Sequence, residues 1–163
     1  MSEKSTNAEI RVDVNYANDL ITDIFKAKSC NDHEARTIAQ RLSGSNLVGH
    51  DSHGIARVPR YVEWMERGWV FPNLKPEVVI DAGAMGCLDA KQGFGQVAGE
   101  YAVDDGITRA KKHGVSVVGL RNSGHLGRIG DWAERAADAG LISFHFVNVR
   151  GSLLVAPFGG SDR

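Results

Sequence analysis

Apolar positions along this chain change period several times, and each change marks an element. Ile10, Val12 and Val14 alternate with polar residues, so a short edge strand is expected at the start. Leu20, Ile21, Ile24 and Phe25 recur at helical spacing and predict a helix from about Ala17 to Lys28. "NDHE" follows. Asn31 can cap the next helix while Glu34 reaches back, a capping box with Asn in place of Ser or Thr. Ala35, Ile38, Ala39 and Leu42 form the buried stripe of this second helix, which should last until about Val48. Gly49 and Gly54 bracket the next stretch, so the backbone there should not be one smooth helix. A third helix is expected from about Arg57 to Arg67, with Pro59 tolerated in its first turn and Gly68 at its end.

The pattern then turns strand-like. "EVVID" and "GCLDA" read as two strands joined by "AGAM", a hairpin. From Gln96 to Lys112 the chain is amphipathic, with Val97, Tyr101, Val103, Ile107 and Ala110 on or near one face and Gly114 as its stop. "VSVVGL" is an apolar strand, Ile129 to Ala139 a helix stopped by Gly140, and "LISFHFVNV" a further strand. Helices first, then strand–helix–strand–helix–strand, predict a mixed α/β fold: a helical part over residues 1–75 and an α/β part over 76–163, divided in the loop from Pro72 to Pro76. The closing "LLVAPFGGSDR" reads either as a last edge strand with a polar tail or as a longer chain cut short.

Composition narrows the class. With 163 residues, 42% hydrophobic and 24% charged, the chain is expected to be globular rather than disordered. A net charge of −1 without a basic block gives no footprint for nucleic acid, so no such partner is expected. No apolar run is long enough for a bilayer, and the polar start has no signal-peptide core. Cys30 and Cys87 lack metal-ligand spacing and read as free thiols, which suits a cytoplasmic protein.

"GHDSHGIAR", residues 49–57, is the first place for chemistry. His50 and His53 could share a cation on one helix face, but no third ligand is supplied at a metal-site spacing, and no metal is expected. An acid–base reading uses His53, with Ser52 and Asp51 able to orient its ring. Arg57 and Tyr61 follow at four-residue steps, so a proton donor, a guanidinium fork and a phenol would converge on one small anion if helical geometry holds. That suits a 2-oxo or 2-hydroxy acid. The same residues also fit a helix end with capping and surface histidines.

"RNSGHLGRIG", Arg121 to Gly130, is the second place. It lies between a strand and a helix, where glycines and free N–H groups could meet a ligand phosphate, or simply form a turn. "GFGQVA", Gly93 to Ala98, fits the loose dinucleotide fingerprint, but Asp89 and Lys91 do not suit a buried parallel strand, and Arg121 stands where an acidic residue should follow. An ordinary Rossmann domain is therefore rejected, and Gly93 and Gly95 are read as a tight turn. Trp64 and Trp69 are expected to pack between the two parts, His33 and His113 to lie exposed at helix ends, and His145 to be a satisfied strand histidine.

"NLVGHDSHGIARVPRYVEWMERG", the long segment from Asp89 to Val149, and "VAPFGG" together resemble, in order, the type-2 malate/L-lactate dehydrogenase family, which includes sulfolactate dehydrogenase, ureidoglycolate dehydrogenase and diketogulonate reductase. The resemblance covers nearly all of the chain after the first dozen residues. It implies a non-Rossmann fold and NAD- or NADP-dependent interconversion of 2-hydroxy and 2-oxo acids by a homodimer. It implies His53 as proton donor with Ser52 as relay, and Arg57, Tyr61 and His125 as substrate-binding residues. His125, Leu126, Gly127, Arg128 and Ile129 would contact the cofactor, and His50 would be structural. Family members are considerably longer, so the chain is expected to be an N-terminal portion. The alternative expectation is a non-catalytic remnant that binds a small anion or a partner chain; a metal-dependent lyase using His50 and His53 is a third.

Overall fold

The structure is a computed structural model and describes residues 11–148. Asp13 starts the fold. Its carboxylate accepts hydrogen bonds from the backbone N–H groups of Asn15 (2.9 Å) and Tyr16 (3.1 Å) and caps helix α1, Val14–Ala27. The expected opening strand is thereby corrected: residues 11–13 carry no strand and Val14 is already helical. A few alternating residues do not outweigh a capped amphipathic helix. Ile10 lies outside the described residues.

Helix α2, Asp32–Leu47, has Asn31 as its cap, accepting from the N–H of Glu34 (2.9 Å). The reciprocal half of the capping box is absent, because a distant residue takes it. Asn73 accepts from the N–H of Asn31 (2.7 Å), donates its own N–H to the Glu34 carboxylate (2.7 Å), and donates its amide to the Ser29 carbonyl (2.7 Å). Burial raises the Glu34 pKa. Beside it, burial and the Glu34 carboxyl push the Cys30 thiol above its usual range, so this buried thiol is unreactive.

The core lies where the helices meet. Ile21 and Phe25 of α1 pack on Ala35, Ile38, Ala39 and Leu42 of α2, the last four at 0% exposure. Tyr61 joins them from α3, Val58–Glu66, with Pro59 in its first turn and Gly68 (φ 67°) beyond its end. Val70 and Phe94 complete the same cluster, so a ring from beyond the Pro72–Pro76 loop joins the helical core. Trp64 packs against this cluster, whereas Trp69 lies 55% exposed under the Arg67 guanidinium and does not fill the seam expected of it.

Further along the chain, β1 (Glu77–Ala82) and β2 (Met85–Asp89) form the expected antiparallel hairpin. Helix α4 (Gly95–His113) crosses over to β3 (Val117–Arg121), which lies parallel to β2, giving the order β1-β2-β3. Gly114, at φ 82°, ends α4. Arg109 of α4 ties down the hairpin, donating to Asp81 (2.6 Å) and the Gly83 carbonyl (2.7 Å). Helix α5, Gly130–Asp138, buries Trp132 against Gly99 of α4.

The expected strand at 141–149 is also corrected. Residues 141–148 form no ladder, and Ile142, Phe144 and Phe146 stand 90%, 82% and 96% exposed. Alternation makes a segment strand-compatible, but a strand also needs a neighbour to pair with, and none stands beside this segment among the described residues. His145 is correspondingly an exposed side chain 3.0 Å from the Ser143 hydroxyl, not a strand histidine. No helix of the described residues is long and apolar enough to cross a membrane.

Candidate active site

The stretch after α2 is folded by its own polar residues. His50 donates its N–H to the Ser45 carbonyl (2.8 Å), and two short 3-10 turns follow, Asp51–His53 and Ile55–Arg57. Asn46, in the last turn of α2, holds both: its amide donates to Asp51 (2.6 Å) and its carbonyl accepts from the N–H of Ile55 (2.8 Å). Gly54 is required here because a Cβ would run into the Asn46 amide. Asp51 is thus spent on Asn46. It is Ser52 whose hydroxyl meets His53, 2.9 Å from Nδ1.

Arg57 closes the turn, donating from Nε to the Ser52 carbonyl (2.6 Å). Among the described residues Arg57 makes no ion pair. Its neighbours in sequence and site are all engaged: Arg60 and Arg67 with Glu63, Arg121 with Asp89, Arg128 with Asp131 and Glu134. Burial, then His50, then Arg57 lower the His53 pKa.

The loop after β3 brings in His125. Its ring stacks on His53 with centroids 5.1 Å apart and planes at 26°, while the His50 ring lies 4.5 Å from that of His53. Tyr61 and Trp64 stack on each other at 5.4 Å, and both rings neighbour His125. The Tyr61 hydroxyl lies 2.8 Å from His125 Nδ1 and accepts from the Gln96 amide at 2.6 Å. Burial raises the Tyr61 pKa to about 12, and burial, then His53, then Arg57 lower that of His125 to about 4.

His53, Ser52, Arg57, Tyr61 and His125 are thus brought together. Tyr61, at 1% exposure, reaches the site through His125. Of the remaining loop residues, Gly127 donates its N–H to His125 Nδ1 (3.2 Å), and the Leu126 carbonyl accepts from the Trp132 indole (3.2 Å). Arg128 is turned toward α5, and Ile129 precedes its first residue. Among the described residues no group of three or more His, Cys, Asp or Glu is arranged to hold a metal ion.

The turn at Gly93–Gly95 serves this loop. A Cβ on Gly95 would sit less than 3.0 Å from the carbonyl oxygens of Gly124 and His125, and Gly124 donates its N–H to the Gly93 carbonyl (2.9 Å). The space that a phosphate would need in a dinucleotide fingerprint is filled by the protein's own backbone. Asn46 and Gln96 are the residues sequence reasoning missed. For Asn46 a polar side chain beside an expected turn was a signal; for Gln96 the only one was a polar residue at the start of a buried helix.

The sequence model of the malate/L-lactate dehydrogenase family matches residues 12–163. Hydroxycarboxylate dehydrogenase B of Escherichia coli (strain K12) is 43% identical over 152 residues, 93% of this chain and 42% of its own. L-lactate dehydrogenase of Cupriavidus necator is 35% identical over 93% of this chain and 44% of its own. The solved structure of a putative malate/lactate dehydrogenase from E. coli superposes with a TM-score of 0.79 at 41% identity, over 81% of this chain and 37% of that one. The chain spans between 36% and 44% of the length of these and other curated relatives.

Proposed function

This chain belongs to the malate/L-lactate dehydrogenase family, and on that footing we propose that its residues supply the acid-binding and proton-transfer half of a nicotinamide-dependent 2-hydroxy acid dehydrogenase. The observation that carries the reading is the guanidinium of Arg57, which makes no ion pair among the described residues, beside the stacked imidazoles of His53 and His125. With its Nε held by the Ser52 carbonyl, its two terminal nitrogens are suited to a carboxylate, which they can hold by two parallel hydrogen bonds.

Arg57 holds the substrate carboxylate. Ser52 occupies His53 Nδ1 and leaves Nε2 to carry the exchangeable proton. His53 gives that proton to the carbonyl oxygen during reduction and takes it back in the oxidation. The lowered pKa of its ring makes the imidazolium a stronger acid and the imidazole available as a base near neutrality. The nicotinamide, when bound, supplies or accepts the hydride. Residues His125 to Ile129 suit contact with it, being a loop at the C-terminal end of β3 with a positive-φ glycine and no regular backbone pairing. The same loop gives no support to a preference for a 2′-phosphate, because Arg121 and Arg128 are both paired.

Two measurements on the full chain test the reading. Oxamate, a stable 2-oxo acid isostere, should bind, and Arg57→Ala should weaken it about 10- to 100-fold, the worth of hydrogen bonds to a charged group. NADH or NADPH oxidation with a panel of 2-oxo acids should disappear on His53→Asn. Oxamate binding indifferent to Arg57, or turnover indifferent to His53, would overturn it. The exposed side chains of Ile142, Phe144 and Phe146 favour a second reading, in which the chain binds an anion or a partner chain without turnover. Oxamate binding with no NADH or NADPH oxidation would support that one.

A further inference from the structure

We propose that Gln96 is a positioning residue: through Tyr61 it fixes His125 as the tautomer with its proton on Nε2. The functional meaning rests on reading His125 as part of the acid site, but the geometry stands by itself. Gly127 presents a backbone N–H to His125 Nδ1 at 3.2 Å. A backbone N–H can only donate, so Nδ1 accepts. The Tyr61 oxygen lies 2.8 Å from the same nitrogen and so must donate to it. A phenol has one proton. With that proton spent on His125, the Tyr61 oxygen can only accept, and its donor is the Gln96 amide at 2.6 Å.

The opposite arrangement is a single alternative, not several. A Gln96 amide turned end for end would set its carbonyl against the phenol and claim the phenol proton. His125 Nδ1 would then have to donate to Tyr61, with its proton driven toward the Gly127 N–H. Amide orientation and histidine tautomer are therefore one choice. Gln96 is 0% exposed, and its carbonyl oxygen has no hydrogen-bond partner among the described residues. An orphaned buried oxygen is destabilising, and a leucine would avoid it. The N–H end of the amide, in contrast, is engaged with the phenol. Gly127, at φ 73°, closes the loop over the same amide.

His125 then offers an uncharged Nε2–H to an oxygen of the acid, while His53 alone exchanges protons. The titratable or charged groups facing His125 are His53, Arg57 and Tyr61. Nitrogen-15 NMR of the histidine-labelled full chain tests this, with His125 assigned from His125→Asn. The native ring should be neutral at pH 7, with a protonated Nε2 and a bare Nδ1. In Gln96→Leu the weakened donation to Nδ1 should raise the proton affinity of His125 by up to about fivefold, the net worth of one hydrogen bond. Should that variant not fold, Tyr61→Phe removes the phenol through which Gln96 acts and should raise it at least as far. A native Nδ1–H tautomer, or an unmoved His125 titration in the variant that folds, would overturn the proposal. Neither readout needs turnover, so oxamate binding indifferent to Arg57 would sink the dehydrogenase reading and leave the role of Gln96 intact.

Discussion

Gly95→Ala is the sharpest single perturbation of the seam that carries His125. Gly95 opens α4, and its φ is not in the left-handed region, so the residue is required for space and not for backbone freedom. An added Cβ would lie less than 3.0 Å from the carbonyl oxygens of Gly124 and His125, where ordinary contact begins at 3.4 Å. The loop must retreat by more than 0.4 Å, the difference between those two distances. It cannot do so freely, because Gly124 is bonded to the Gly93 carbonyl. Overpacking costs about 1–3 kcal/mol when side chains yield, and here the obstruction is backbone, so about 3 kcal/mol is expected. For a chain of this size that lowers Tm by roughly 6–12 °C. Urea unfolding at 25 °C should show a lower midpoint with unchanged slope. Gly44→Ala is the control: it lies inside α2 with nothing within 4 Å of its added Cβ, and should gain about 0.5–1 kcal/mol. A Gly95→Ala chain within about 0.5 kcal/mol of the native one, at the scatter of neutral surface changes, would refute the packed turn and reopen the phosphate-loop reading.

Leu42→Ala, at 0% exposure in the helical core, should cost about 2–5 kcal/mol in the same urea assay. Because its folded pKa is lowered to about 4 from 6.5, His125 is protonated in the unfolded chain before the folded one. It therefore withdraws stability as pH falls from 6.5 toward 4, by no more than about 2 kcal/mol after discounting for partial exposure. Stability measured at pH 7 and pH 4.5 should converge more closely for His125→Asn than for the native chain; an equal loss in both would contradict the shift. Phe144→Ser should change stability by less than about 0.5 kcal/mol, since the ring is 82% exposed. A loss above 1 kcal/mol would mean that residues 141–148 pack in solution.

What the sequence disclosed divides by the range of the interaction that decides each element. The stripe of Ala35, Ile38, Ala39 and Leu42, the Asn31 cap, the hairpin at residues 77–89 and the stop at Gly114 are each settled within one element or one turn, and all are as the pattern predicts. The errors begin where a distant residue intervenes. Glu34 fails to complete its capping box because Asn73, 39 positions away, offers it a better-placed donor. The alternation at 141–148 is as regular as that of a true strand, but pairing depends on a neighbour that no local pattern supplies.

The site follows the same rule, with a consequence for how the motif at residues 93–98 should be understood. His53, Ser52 and Arg57 lie within six residues, and their juxtaposition needs only two 3-10 turns and the Asn46 clamp. Gln96 acts on Tyr61, 35 positions away, and through it on His125. Its own helix offers only the hint of a polar residue in a buried first turn, and nothing there names its partner. The glycines around it match a phosphate-binding pattern by spacing, yet Gly95 is small so that the loop at 124–125 can lie against it, and that close approach sets His125 beside the turn that carries Gln96. Glycine and glutamine are thus one device: the first admits the loop and the second orients what the loop carries. A bulkier residue at 95 should therefore disturb the His125 ring as well as the fold.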